Sequence, residues 1–169
     1  MTSARVRVHF DGSMTAAHTE VFGGAVVYHP NGQTLCFRTR QVIAPNTNNV
    51  GEWLALILAL RVCTRLGLTS LHIHGDSALI LSQVQGGSIK QPHFKPLNAR
   101  AQRLLQGLDV VFTHVFREDN RLADRTATSY RLLARGRKKP LFTDELFIDA
   151  DTGQRLDGLG QPLGPWTVP

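Results

Sequence analysis

Four carboxylates stand where an α/β chain could bring them together. Asp11 closes a strand-like run from Arg5 to Phe10, and Asp76 closes another from Ser70 to His74. Glu52 falls in the first turn of a helical stretch from about Val50 to Leu66, and Asp124 in the first turn of one from Asn120 to about Ala134. In an open α/β sheet the ends of adjacent strands, with helix N-termini nearby, border a crevice where ligands bind. Four acids gathered there repel one another unless cations neutralise them, and oxygen ligands suit hard divalent ions such as Mg²⁺ or Mn²⁺. Two such ions about 4 Å apart can activate water and stabilise the leaving oxygen of a phosphodiester. Taken singly, each acid has an ordinary use. An Asp before Gly or Ser serves a turn, and an acid in a first helical turn complements the helix dipole. The set is more telling. Of the eight acids before residue 140, these four fall at equivalent edges of the expected sheet, whereas Glu20, Asp109, Glu118 and Asp119 fall in loops.

The elements that must carry these side chains follow from periodicity and turn signals. Arg5 to Phe10 alternates with period two, Phe22 to Tyr28 is a second apolar run, and Thr34 to Val42 alternates again beyond the turn His29-Pro30-Asn31-Gly32. Pro45 breaks the third run. Asn48 and Asn49 are candidate caps for the helix that Gly67 stops, whose surface is apolar nearly all round and is therefore expected to be buried. After the strand at Ser70 to His74 come helices over Ser77 to Gln85 and Leu97 to Gln106, a fifth strand over Val110 to Phe116, and the final helix. The order β-β-β-α-β-α-α-β-α gives an α/β fold. Its expected five-stranded mixed sheet has three antiparallel strands plus two further strands, flanked by helices.

The 169 residues suit one domain of ordinary size, and the hydrophobic fraction of 42% is that of a globular chain. No run approaches the ~20 apolar residues of a membrane span, and Met1 to Phe10 has no apolar core of the kind a secretory signal needs. Two cysteines, Cys36 and Cys63, form no disulfide framework, so a cytoplasmic setting with reduced thiols is expected. The net charge of +6 is unevenly placed: residues before 140 carry +10, the remainder −4. A basic body suits a polyanionic partner, or serves solubility alone. The run Arg135 to Pro140 divides the chain into an expected catalytic domain, 1–135, and a segment, 136–169, of basic linker and acidic Gly/Pro-rich tail or hairpin. That tail has three readings: a solvated appendage, an acidic competitor on the nucleic-acid face, or a strand at Leu146-Phe147-Ile148 paired to a sheet edge.

Over about residues 4–135 the chain resembles the type 1 ribonuclease H family. The likeness rests on Asp11-Gly12-Ser13, on Asn46-Thr47-Asn48-Asn49-Val50-Gly51-Glu52, on Gly75-Asp76-Ser77 followed by Gln83-Val84-Gln85-Gly86, and on His114-Val115-Phe116-Arg117-Glu118-Asp119-Asn120-Arg121-Leu122-Ala123-Asp124. Each is weak alone; four in order at compatible spacing are specific. The resemblance implies an endoribonuclease that hydrolyses the RNA strand of RNA–DNA hybrids with two Mg²⁺ or Mn²⁺ ions and leaves 3′-hydroxyl and 5′-phosphate ends. It implies Asp11, Glu52, Asp76 and Asp124 as metal ligands, Gly12 and Ser13 beside the RNA backbone, Thr47 at a DNA phosphate, and Asn48 and Asn49 in the minor groove. His114, ten residues before Asp124, has the spacing of a histidine that assists turnover in many members, by moving a proton or helping product leave; otherwise it simply pairs within the fifth strand. A monomer is expected.

The chain also departs from the family pattern. Met14 to Val21 reads MTAAHTEV in place of a Gly/Pro-rich turn, Ala78 replaces a common Gln, and no basic helix-loop insertion lies between Gln85 and Leu97. Arg100, Arg103, Arg117, Arg121 and Arg125 supply basic surface instead. His9, His72 and His74 fall in strands without a zinc-like spacing. The competing readings are a non-catalytic RNA- or hybrid-binding module on the same fold, and a resolvase-like nuclease.

Overall fold

The structure, a computed structural model, describes residues 4–15, 17, 19–42, 47–134, 136 and 145–168. Pro45, Asn46 and most of the basic run from Arg135 lie outside them. The alternating N-terminal third forms β1 (Val6–Met14), β2 (Val21–Tyr28) and β3 (Thr34–Gln41), paired antiparallel in sequence order. On the other side of β1, β4 (Ser70–Gly75) and then β5 (Asp109–His114) add in parallel, as their helical crossovers require. The crossovers are α1 (Asn48–Arg65), α2 (Ala78–Val84) and α3 (Lys95–Leu105); α4 (Arg121–Ala134) follows β5.

The two faces of the sheet take different helices. α1 packs on β1 and β2 with α3 behind it, and α4 covers β2, β1 and β3 from the opposite side. Thirteen of the 18 residues of α1 are buried, as an all-round apolar surface demands. The pair Gly23-Gly24 makes both contacts close. A Cβ on Gly23 would lie 3.1 Å from the Ala55 Cα in α1, and one on Gly24 would lie 2.8 Å from the Ala123 carbonyl in α4. Successive strand residues face opposite ways, so one glycine serves each helix.

Three local expectations change. Asp11-Gly12 is no turn: β1 runs on to Met14 because Asp11, Gly12, Ser13 and Met14 pair with Gly24, Gly23, Phe22 and Val21. The cap of α1 is Thr47, whose hydroxyl accepts from the Val50 amide at 3.3 Å, and Asn48 and Asn49 are helical. Glu52 is consequently in the second turn of α1. The fifth strand stops at His114, and Phe116 leads into a 3₁₀ turn at Arg117–Asp119.

The sheet has eight strands, where five were expected. β6 (Leu146–Asp149) pairs parallel with β3, and β7 (Gln154–Leu156) and β8 (Pro162–Pro165) continue the sheet antiparallel. β6 continues both cores: Phe147 joins Val26, Cys36 and Ala123 beneath α4, and Ile148 joins the α1 side. Polar contacts secure the junction. Arg38 and Asp149 pair at 3.5 Å, the Arg38 guanidinium lies 4.0 Å from the Tyr130 ring centre, and Asp151 accepts from the Thr39 hydroxyl at 2.6 Å. Of the three readings of the tail, residues 145–168 adopt the docked strand. Its Leu146-Phe147-Ile148 run, with Phe147 and Ile148 buried on opposite sides of the sheet, completes an edge that β3 would otherwise expose.

Candidate active site

Asp11 shares the α4 side of β1 with His9, two residues earlier. Asn120, buried just before α4, ties that helix to the strand: its Nδ2 donates to the Phe10 carbonyl at 2.9 Å, and its Oδ1 lies 2.8 Å from His9 Nδ1. Arg7 Nε donates to His9 Nε2 at 2.9 Å, so the ring carries its proton on Nδ1 and donates to Asn120. α4 therefore starts beside Asp11, and Asp124 falls in its first turn.

Glu52 arrives from the opposite face through a backbone contact. A Cβ on Gly12 would collide with the Gly51 carbonyl and the Glu52 amide, and one on Gly51 would lie 3.1 Å from the Ser13 carbonyl. Two facing glycines thus seat α1 directly on β1, close enough for Glu52 to reach Asp11. Asp76 follows β4, which runs parallel to β1. His114, at the end of β5, is exposed and places its Nε2 3.2 Å from the Asp76 carbonyl oxygen.

Carboxylate oxygens of Asp11, Glu52 and Asp76 lie within 4.8 Å of one another. Asp124 interacts with the Asp11 carboxyl and receives the Thr128 hydroxyl at 3.4 Å. Burial raises the Asp11 carboxyl to about 10, reinforced by Glu52. Burial also raises Glu52 to about 7, and Asp76 shifts upward for the same first reason, with Arg117 opposing it. Glu52 Oε2 is buried without a hydrogen-bond partner. A fold that gathers carboxylates with fewer cations and donors than they need is suited to receive positive charge. Hard cations fit this all-oxygen set.

The acids line a cleft of about 350 Å³ together with Gly12, Ser13 and Asn48. Of the remaining expected contacts, Thr47 is exposed at the helix cap, and Asn49 follows it in α1 but is not among the residues lining the cleft. Arg117, expected only as basic surface, lines the cleft beside Asp76. Thr128 and Arg131 line it as well and were not anticipated. Their signal was in the spacing: residues four and seven after Asp124 share its helix face.

Comparison with known proteins agrees with this geometry. A family profile described as "Reverse transcriptase-like" matches residues 9–130. Ribonuclease HI of Halobacterium salinarum is 32% identical over 125 residues, 73% of this chain and 62% of that protein. A bifunctional protein of Mycobacterium tuberculosis is 32% identical over the same share of this chain but only 34% of its own length. The chain therefore spans about a third to under two thirds of these curated relatives. Solved structures match more fully. The N-terminal ribonuclease H domain of that M. tuberculosis protein superposes with a TM-score of 0.69 at 30% identity, covering 79% of this chain and 98% of that one. The crystal structure of the H. salinarum enzyme gives 0.66 at 31%, covering 75% and 96%. An LC11 ribonuclease H1 in complex with an RNA/DNA hybrid gives 0.63 at 29%, covering 73% and 94%. Sequence and fold agree over the segment that carries the four acids, and the chain belongs to the type 1 ribonuclease H family.

Proposed function

We propose that this chain hydrolyses the RNA strand of RNA–DNA hybrids, leaving 3′-hydroxyl and 5′-phosphate ends. The observation that carries the reading is the uncompensated acid cluster in a cleft flanked by arginines. Asp11, Glu52, Asp76 and Asp124 would hold two Mg²⁺ or Mn²⁺ ions, which when bound supply Lewis acidity at both the attacking and the leaving oxygens of a phosphodiester. The orphaned Glu52 Oε2 and the raised carboxyls fit cations of that kind. The protein's own part is to fix the acids from both faces of one sheet, so that no loop must close to assemble them.

Arg117 beside Asp76 offers a phosphate ligand at the mouth of the cleft. His114 is exposed to move a proton to the departing oxygen or to help product leave. Gly12 and Ser13 present bare β1 backbone to the RNA strand, and Asn48 and Asn49 at the start of α1 face the shallow minor groove. There 2′-hydroxyls distinguish RNA without reading sequence. Thr47 at the cap of α1 would hold a phosphate of the DNA strand. Residues 1–135 hold this apparatus, and the C-terminal strands serve as structural extension. The hybrid-bound state of the LC11 relative supports the substrate class.

Labelled RNA–DNA, RNA–RNA and DNA–DNA duplexes, each with Mg²⁺, Mn²⁺ or EDTA, test the reading. RNA cleavage confined to the hybrid and abolished by EDTA is expected. Equal cutting of DNA–DNA duplexes would favour a resolvase-like nuclease, and binding without cutting a non-catalytic module.

A further inference from the structure

Arg131 lies seven residues beyond Asp124 on α4, with Thr128 between them, so the three side chains form one stripe along the acid cleft. The separation along the helix is about 10 Å. From there the guanidinium reaches the end of β1, where Nη1 donates to the Met14 carbonyl over a long 3.4 Å. Its Nε is buried and has no hydrogen-bond partner. Among the described residues Arg131 has no ion-pair partner, so it stands in an acid-lined cleft without a carboxylate of its own. Arg117 occupies the other flank, beside Asp76.

An arginine held at the rim by one long hydrogen bond keeps most of its five donors for an incoming group. Phosphate is the match, since a guanidinium fork meets two phosphate oxygens at once. Met14 adjoins Ser13 on the strand that borders the cleft, so the guanidinium lies along the same track. We propose that Arg131 is a substrate-positioning residue, gripping a backbone phosphate of the RNA strand next along from the one held at the acids. This rests on the hybrid-hydrolysis reading. Arg117 and Arg131 then bracket the acids, and the strand is fixed on both sides of the bond to be cut.

The test uses Arg131→Ala and Arg131→Lys on hybrids whose RNA strand carries one uncharged methylphosphonate linkage at a deoxynucleotide, placed in turn on either side of the cut. Arg131→Ala is expected to raise KM about tenfold with a smaller change in kcat. It should also reduce the slope of log affinity against log salt by about one. At one linkage position the uncharged group should cost the wild type about as much, and Arg131→Ala nothing further. Arg131→Lys should keep the salt slope and recover part of KM. If Arg131→Ala stays as sensitive as the wild type to every uncharged linkage, the side chain touches no phosphate. A lowered melting temperature in that case assigns it to α4–β1 packing. A wild type that cuts no unmodified hybrid would instead overturn the reading on which the proposal rests.

Discussion

At the β3–β6 junction a buried arginine meets a buried aspartate. Arg38 and Asp149 pair at 3.5 Å, with the Tyr130 and Phe147 rings over the guanidinium. At the junction of β1, α1 and α4, Asp11 and Glu52 are buried as deeply, but their neighbours are further carboxylates and Glu52 Oε2 has no partner. Both regions take charge out of water, at a cost. One sets the charge against its opposite, although Arg38 Nε and Nη1 lack hydrogen-bond partners, and holds the C-terminal strands in place. The other leaves it outstanding, which is intelligible only where a ligand supplies the missing charge. Buried charge set against its opposite marks structure in this molecule, and buried groups of like charge gathered together mark function.

Asp149→Ala should have the largest effect on stability, because it strands Arg38 in the core. A loss of about 3–5 kcal/mol is expected in urea unfolding, with little change in cleavage per folded molecule. Replacing both partners with apolar residues should recover most of that loss. A comparable loss of cleavage in folded Asp149→Ala would erase the distinction between the two regions.

Gly12→Ala probes the other region through its backbone. The added methyl meets the Gly51–Glu52 backbone and must push α1 from β1. Overpacking of this kind costs about 1–3 kcal/mol, and displacement of Glu52 by an ångström should slow single-turnover cleavage about a hundredfold. His114→Ala, at the exposed margin of the cleft, should lower kcat roughly tenfold, about 1.4 kcal/mol, and leave the melting temperature unchanged.

The smallest expected effect is a drift with pH. Glu52 is raised to about 7 and Asp11 to about 10, so in metal-free protein both stay protonated where the unfolded chain has already ionised. Their stabilising contribution is full below the ordinary carboxyl range and is lost as pH rises through those values. His74, lowered to about 4 mainly by burial, works in the other direction: its contribution is present above the ordinary histidine value and lost as pH falls towards 4. Melting curves in EDTA should therefore show the wild type losing ground to Glu52→Gln as pH rises from about 5 to 9. A constant difference would mean that Glu52 is not held protonated.

The four acids were legible in the sequence because each sits in a short motif with its own turn or helix signal. The alternation and the glycine stops likewise marked most of the elements. What the sequence concealed depends on contacts between distant segments. Asp11-Gly12 reads as a turn until β2 is seen paired through it, and Gly12 then proves to be the seat of α1. Thr47 outcompetes Asn48 and Asn49 as cap because the chain enters α1 two residues earlier than its apolar run suggests. The tail offered a three-residue apolar strand among glycines and prolines. Only the open edge of β3, with Arg38 waiting for a counter-charge, decides that it docks. Arg131 had a periodic signal, but nothing local distinguishes it from the other arginines of a basic chain.

The central claim is that the acid cluster is an electrostatic debt held for metal, and melting Asp76→Asn beside the wild type, with EDTA or with Mn²⁺, tests it most directly. The substitution removes charge but little volume, so Asp76→Asn should melt above the wild type in EDTA, where like-charge repulsion is relieved. With Mn²⁺ the order should reverse, since binding to the folded state stabilises the wild type more, and Asp76→Asn should cut no hybrid. A variant that melts below the wild type in EDTA, gains as much from Mn²⁺, or keeps near-wild-type cleavage would contradict the account.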